Sequence, residues 1–112
     1  MNYLFAGKKY ADSLFFGHIV LEKIIKTHVV KDSGKETLKV HDLLYLADLS
    51  KLNLSNDEIK YLKIVNRFNM RTRYPDIKLT FYKQCTRQYI KEHLEKIEKL
   101  YKKLCQELKS KK

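Results

Sequence analysis

An all-α fold is predicted by three observations: only three glycines and one proline interrupt 112 residues, apolar residues recur at steps of three and four, and 44% hydrophobic with 33% charged residues is a globular balance. A chain of this length makes one domain, residues 1–112. It buries about 65% of its unfolded surface around a single core.

The breaks fall at Gly7, Ser33-Gly34, Asn53 to Asn56 and Tyr74-Pro75-Asp76. The helix expected near 9–30 carries Leu14-Phe15-Phe16-Gly17-His18-Ile19-Val20-Leu21, one polar residue in eight, so it is apolar around most of its circumference. It belongs at the centre of a bundle or beneath a second subunit, and a homodimer is expected on that ground. A short helix near 41–51 presents Leu43, Leu44, Leu46 and Ala47, with Tyr45 a further candidate for that side. The third opens on the capping sequence Ser55-Asn56-Asp57-Glu58 and is expected to run to Met70 or Arg73. Its apolar side is Tyr61, Leu62, Ile64, Val65 and Phe68, whereas Lys60, Lys63, Arg67 and Arg71 form one basic stripe. Pro75 ends it, because the residue before a proline is pushed out of the α region. The last helix is expected from about Leu79 toward Lys109, with Ile90, Leu94, Ile97, Tyr101, Leu104 and Leu108 as a narrow seam for the bundle or a dimer.

Charge points to the functional region. Of four arginines, Arg67, Arg71 and Arg73 fall within seven residues. A guanidinium grips phosphate or carboxylate in a fixed geometry that a lysine does not provide. Residues 60–91 hold nine basic side chains against the single acid Asp76, in a chain of net charge +11. The partner this implies is anionic: nucleic acid, a nucleotide, an acidic protein face or an anionic membrane surface. Arg67, Arg71 and Arg73 are the candidate grips, Tyr74 and Asn69 orient or stack the ligand, and Asn66 adds a hydrogen bond. The competing reading is charge compensation at a helix C-terminus, where open carbonyls favour cations. Tyr61, Phe68, Tyr74, Phe81, Tyr82 and Tyr89 are interleaved with the cations, where aromatic rings can stack bases, although in a helical domain most such rings belong to the core.

Elsewhere the chemistry is sparse. His18, Glu22 and Lys26 stand four apart on the apolar helix and form either a satisfied buried pair or part of a ligand pocket. His41 and Asp42 organise a helix start or take part in proton transfer at that pocket, the helix start being favoured. Cys85 and Cys105 are read on one long helix, about 30 Å apart, so reduced thiols are expected. The four histidines show no metal-ligand spacing. Neither a metal nor a cofactor is expected. No glycine-rich phosphate loop, nucleophile elbow or paired acidic cluster occurs. Without a spanning apolar run or secretion signal, the expectation is a soluble, cytoplasmic protein with no membrane role.

The order Gly7-Lys8-Lys9-Tyr10-Ala11-Asp12 to Phe15, then Leu21-Glu22-Lys23 with Lys26, His41-Asp42-Leu43, Asn53-Leu54-Ser55 and Arg73-Tyr74-Pro75-Asp76 resembles the HEPN domains, the higher-eukaryote and prokaryote nucleotide-binding family. The resemblance spans nearly the whole chain. Such domains carry a longer helix ahead of the glycine at position 7, so here that helix is shortened or the start lies upstream. The resemblance implies a four- or five-helix up-and-down antiparallel bundle, commonly a dimer, often encoded beside a small nucleotidyltransferase. It also implies that some members are toxins which cleave RNA without metal through Arg-x(4–6)-His. Arg87 and His93 satisfy that spacing. They are expected mid-helix, where six residues turn about 600° and leave the side chains about 120° apart, so His93 reads better as a solvated helix residue. The reading from sequence is a binding subunit of a small nucleotidyltransferase, with nucleotide or RNA as ligand. An RNA-cleaving toxin is the alternative, and a structural dimer whose charge serves solubility is the third.

Overall fold

The computed structural model describes residues 3–34, 40–69 and 74–110. Five helices form the fold: α1 (Tyr3–Ser33), α2 (Leu43–Leu49), α3 (Asn56–Asn66), α4 (Pro75–Gln84) and α5 (Arg87–Ser110). The expected all-helical bundle is what the chain adopts.

α1 is the axis, and each of the other four helices packs against it. Its Leu14, Leu21, Ile25 and Val29 meet Leu43, Leu46, Leu62, Val65, Phe68, Phe81, Ile97 and Leu104 in one buried core. Each fully buried leucine contributes about 1.5–3 kcal/mol. Two glycines let neighbours approach. A Cβ on Gly7 would stand 2.0 Å from the Tyr82 carbonyl oxygen, so α4 lies directly on the α1 backbone there. Gly17 faces the Ile97 side chain, and eleven residues further along, His28 Nε2 donates 2.8 Å to the Leu104 carbonyl. These contacts advance together along both helices. α1 and α5 therefore run in the same direction, as the first and fifth members of such a bundle do. At the far end of α1, Gly34 takes the left-handed φ of 70° that a side chain disfavours, and its N–H closes on Val30 at 2.8 Å.

Local signals explain most boundaries. Ser55 accepts from the Glu58 N–H at 3.1 Å, while the Glu58 carboxylate takes the Ser55 N–H at 2.9 Å. That is the expected capping box. Asp42 accepts from the N–H groups of Leu44 and Tyr45 and so starts α2. Asn66 then ties α2 to the end of α3: its Oδ1 accepts the Leu43 N–H and its Nδ2 donates to Asp42, both at 2.9 Å.

Several expectations are corrected. α1 begins at Tyr3 and α3 stops at Asn66. The N–H groups of Arg67, Phe68 and Asn69 bond three residues back instead of four, and this tightening turns Phe68 into the core. Pro75 does not merely end a helix: it opens α4 at a position where a missing N–H costs nothing. The single long helix from Leu79 is two helices. The Cys85 N–H folds back onto Phe81 and Tyr82, and the Thr86 hydroxyl accepts the Tyr89 N–H at 3.1 Å to cap α5. Cys85 thus sits between helices and Cys105 on α5, both as free thiols. On α5 the buried line is Ile90, His93, Ile97, Leu100 and Leu104, whereas Leu94 and Tyr101 are exposed.

Candidate anion-binding face

Lys60, Lys63 and Arg67 lie on the solvent side of α3, as the stripe predicts. Arg71 and Arg73 fall outside the described residues. Arg67 occupies the C-cap of α3, beside the helix carbonyls. Its charge also acts on the Tyr89 phenol, where burial and the Cys85 thiol raise the pKa and Arg67 opposes them. The neighbouring Phe68 ring packs on Phe81 and Tyr89 and so sets the end of the α3 stripe near the α4–α5 junction, where Lys83, Arg87 and Lys91 are exposed. Among the described residues no carboxylate forms an ion pair with any of these six cations. The far half of α5 is mixed, since Lys99 and Lys109 are likewise without an ion pair among the described residues. There Lys102 pairs with Glu98, and Lys103 pairs with Glu58 and Glu107.

Tyr74 is the N-cap of α4, its ring 75% exposed and without a side-chain capping bond. Asn69 is half-buried behind Phe68. Asn66 has both amide atoms engaged by α2. Arg67 and Tyr74 are therefore both exposed, whereas Asn66 serves the scaffold.

Arg87 and His93 differ in exposure on the same helix, α5. Arg87 is the exposed first residue of α5, not a mid-helix one, and His93 is buried at 8% exposure, not solvated. The cause is that His93 joins the cluster of core rings expected from the aromatic residues of this region. Phe68 meets Phe81 face on at 5.7 Å and meets His93 and Tyr89 edge on at 5.2 and 6.4 Å. The Tyr61 ring stacks on the His93 imidazole, and its hydroxyl lies 2.9 Å from Nδ1. Burial, reinforced by Lys96 and opposed by Glu92, lowers the His93 pKa. Burial likewise pushes the Cys85 thiol up to about 11, which keeps it protonated and unreactive. The available signal was spacing: His93 stands three after Ile90 and four before Ile97, on the line that α5 buries.

A second polar cluster forms around Glu22, which is buried on α1. Its Oε2 accepts from Lys26 Nζ and His41 Nδ1, each at 3.1 Å, and His18 Nδ1 lies 3.6 Å from Oε1. The structure thus brings His18, Glu22, Lys26 and His41 together. The Asp42 carboxylate turns instead to the α2 N-terminus and Asn66. Among the described residues no group of three or more His, Cys, Asp or Glu side chains is arranged to hold a metal, and no helix is long and apolar enough to cross a membrane.

The family model for the HEPN domain matches residues 1–108 of this chain. The chain belongs to the HEPN family. Comparison with curated proteins and with solved structures returned no match. Membership in a family of nucleotide-binding domains supports a nucleotide- or RNA-related function, and it agrees with the helical bundle described above.

Proposed function

We propose that this HEPN domain is a binding subunit that holds the phosphates of a nucleotide or RNA on the α3–α5 face, working with a small nucleotidyltransferase. The observation that carries the reading is the charge left unspent. Lys60, Lys63, Arg67, Lys83, Arg87 and Lys91 are exposed with no ion-pair partner among the described residues, whereas Lys102 and Lys103 are neutralised within the fold. Self-repulsion among unpaired cations costs stability, and an anionic ligand reverses the sign of that cost. Arg67 supplies the forked donors. The nucleotidyltransferase partner rests on HEPN membership and on the gene neighbourhood common in that family.

The competing reading, metal-independent RNA cleavage, needs Arg87 and His93 at one phosphodiester bond. Within one subunit Arg87 stands at the helix start, and His93 is packed under Tyr61, Phe68 and Tyr89. A binding role requires no such encounter.

The test is RNA binding by fluorescence anisotropy across a salt series. If all six cations act, log K falls against log salt with a slope near about −4, a loss of roughly 250-fold between 50 and 200 mM salt. Arg67→Gln should flatten that slope by about 0.7. Absent binding at low salt, or binding indifferent to salt, refutes the reading. Co-expression with a small nucleotidyltransferase found beside the gene for this chain, followed by light scattering of the purified species, tests the partner, and a gene neighbourhood without one counts against it. Two separate masses would remove it.

A further inference from the structure

Arg67 stands between two anchored neighbours. Phe68 is buried in the core at 1% exposure, and Asn66 is bound to the start of α2 by two hydrogen bonds of 2.9 Å. Helix ends fray, so a cation at a C-cap is only as well placed as the turn that carries it. Here that turn is held on both sides of the arginine. Solubility, or compensation of the helix carbonyls, would require neither hold.

The hold on Asn66 leads back to α1. Its Oδ1 accepts the Leu43 N–H, and its Nδ2 donates to Asp42 Oδ1, the oxygen that also caps α2. The residue before Asp42 is His41, whose Nδ1 donates over 3.1 Å to Oε2 of the buried Glu22. A buried carboxylate that loses a donor is costly, so His41 is kept against α1. Lys26 Nζ at 3.1 Å and His18 Nδ1 at 3.6 Å hold the same carboxylate from within α1. The middle of α1, the start of α2 and the end of α3 are thereby joined in one polar chain.

We propose that Glu22, His41, Asp42 and Asn66 are a relay of positioning residues that fixes the last turn of α3 and so preorganises Arg67 for its anion. This rests on the anion-binding role proposed above and adds residues that do not themselves touch the ligand. Preorganisation raises affinity by removing the cost of ordering the turn on binding. Severing the relay therefore weakens binding only where Arg67 is present to be positioned.

The experiment is RNA binding by the full chain, read by fluorescence anisotropy over the same salt series, with circular dichroism confirming that each variant is folded. His41→Ala cuts the link to Glu22, whereas His41→Gln returns an amide donor to it. Asn66→Ala cuts the link to α2. The two alanine variants should each weaken binding about 5-fold, the worth of roughly one hydrogen bond, and His41→Gln should restore it. In the Arg67→Gln background neither alanine should weaken binding further, because both changes act through the same contact. A direct contact of His41 or Asn66 with RNA, or a loss spread over the whole scaffold, would weaken that background too and overturns the relay. An alanine variant that binds as wild type does, or His41→Gln as weak as His41→Ala, also overturns it. In each of these cases a salt slope flattened by Arg67→Gln keeps the cationic face. Should Asn66→Ala not fold, the His41 pair decides alone. Wild type that binds no RNA, or Arg67→Gln with the affinity and slope of wild type, overturns the role of Arg67 and the relay together.

Discussion

Two glycines on one helix are expected to respond very differently to the same substitution. Replacing a helical glycine by alanine gains about 1 kcal/mol from propensity alone. At Gly17 the new Cβ would meet Ile97 Cδ1 at 2.8 Å, the far end of a side chain free to rotate. Repacking there costs about 1 kcal/mol, so Gly17→Ala should fall within about 0.5 kcal/mol of wild type. At Gly7 the Cβ would stand 2.0 Å from the Tyr82 carbonyl oxygen and 2.7 Å from its carbon, where ordinary contact begins at 3.4 Å. The α1 and α4 backbones must then part by 3.4 − 2.0 = 1.4 Å. Such overpacking costs about 3 kcal/mol, leaving Gly7→Ala about 2 kcal/mol less stable after the propensity gain. For a domain of this size the melting temperature should drop by about 8 °C. Parallel urea titrations followed by far-ultraviolet circular dichroism measure both variants, with an unchanged m-value as the control for two-state behaviour. A Gly7→Ala midpoint at or above that of wild type, or a Gly17→Ala loss as large as that of Gly7→Ala, would refute the close approach.

Acid should destabilise the domain through two groups of the same sign. Burial acts to raise the Glu58 carboxyl, but hydrogen bonds from Lys103 and Ser55 and the Lys103 charge outweigh it and hold the pKa below 4.5. The stability this contributes is complete above that value and is lost as pH falls through the lower folded pKa; His93, held below 6.5, begins the same loss at milder acidity. Urea midpoints between pH 7 and pH 3 should therefore fall, and a midpoint that rises toward pH 5 would contradict the burial of His93. Tyr61→Phe removes the hydroxyl at His93 Nδ1 while keeping the ring stack, at a cost of about 1–2 kcal/mol measured by thermal unfolding. Wild-type protein incubated with RNA and chelator should leave the RNA intact on a denaturing gel. Cleavage lost in both Arg87→Ala and His93→Gln would instead establish the ribonuclease reading.

The elements governed by neighbours in the chain were legible beforehand. Ser55 and Glu58 satisfy each other's N–H groups, Asp42 caps the helix it precedes, and Gly34 ends α1, because each interaction closes within four residues. The basic stripe on α3 was likewise readable, since helical spacing alone puts Lys60, Lys63 and Arg67 on one side. The break at Cys85 was missed because Leu79 to Lys109 holds neither glycine nor proline. A threonine cap and a turn set by packing of Phe81 and Ile90 supply it.

Composition and periodicity by themselves determined an all-helical domain, its central apolar helix and a concentrated positive field. Tertiary structure decided which members of that field remain unspent. It sent Asn66 to knit α2 onto α3, buried His93 under rings contributed by α3 and α5, and left Tyr74 in water at the start of α4. Spacing along one helix fixes which residues share a side. Which side meets solvent depends on partners far away in the chain, and those contacts are set only when the whole core closes.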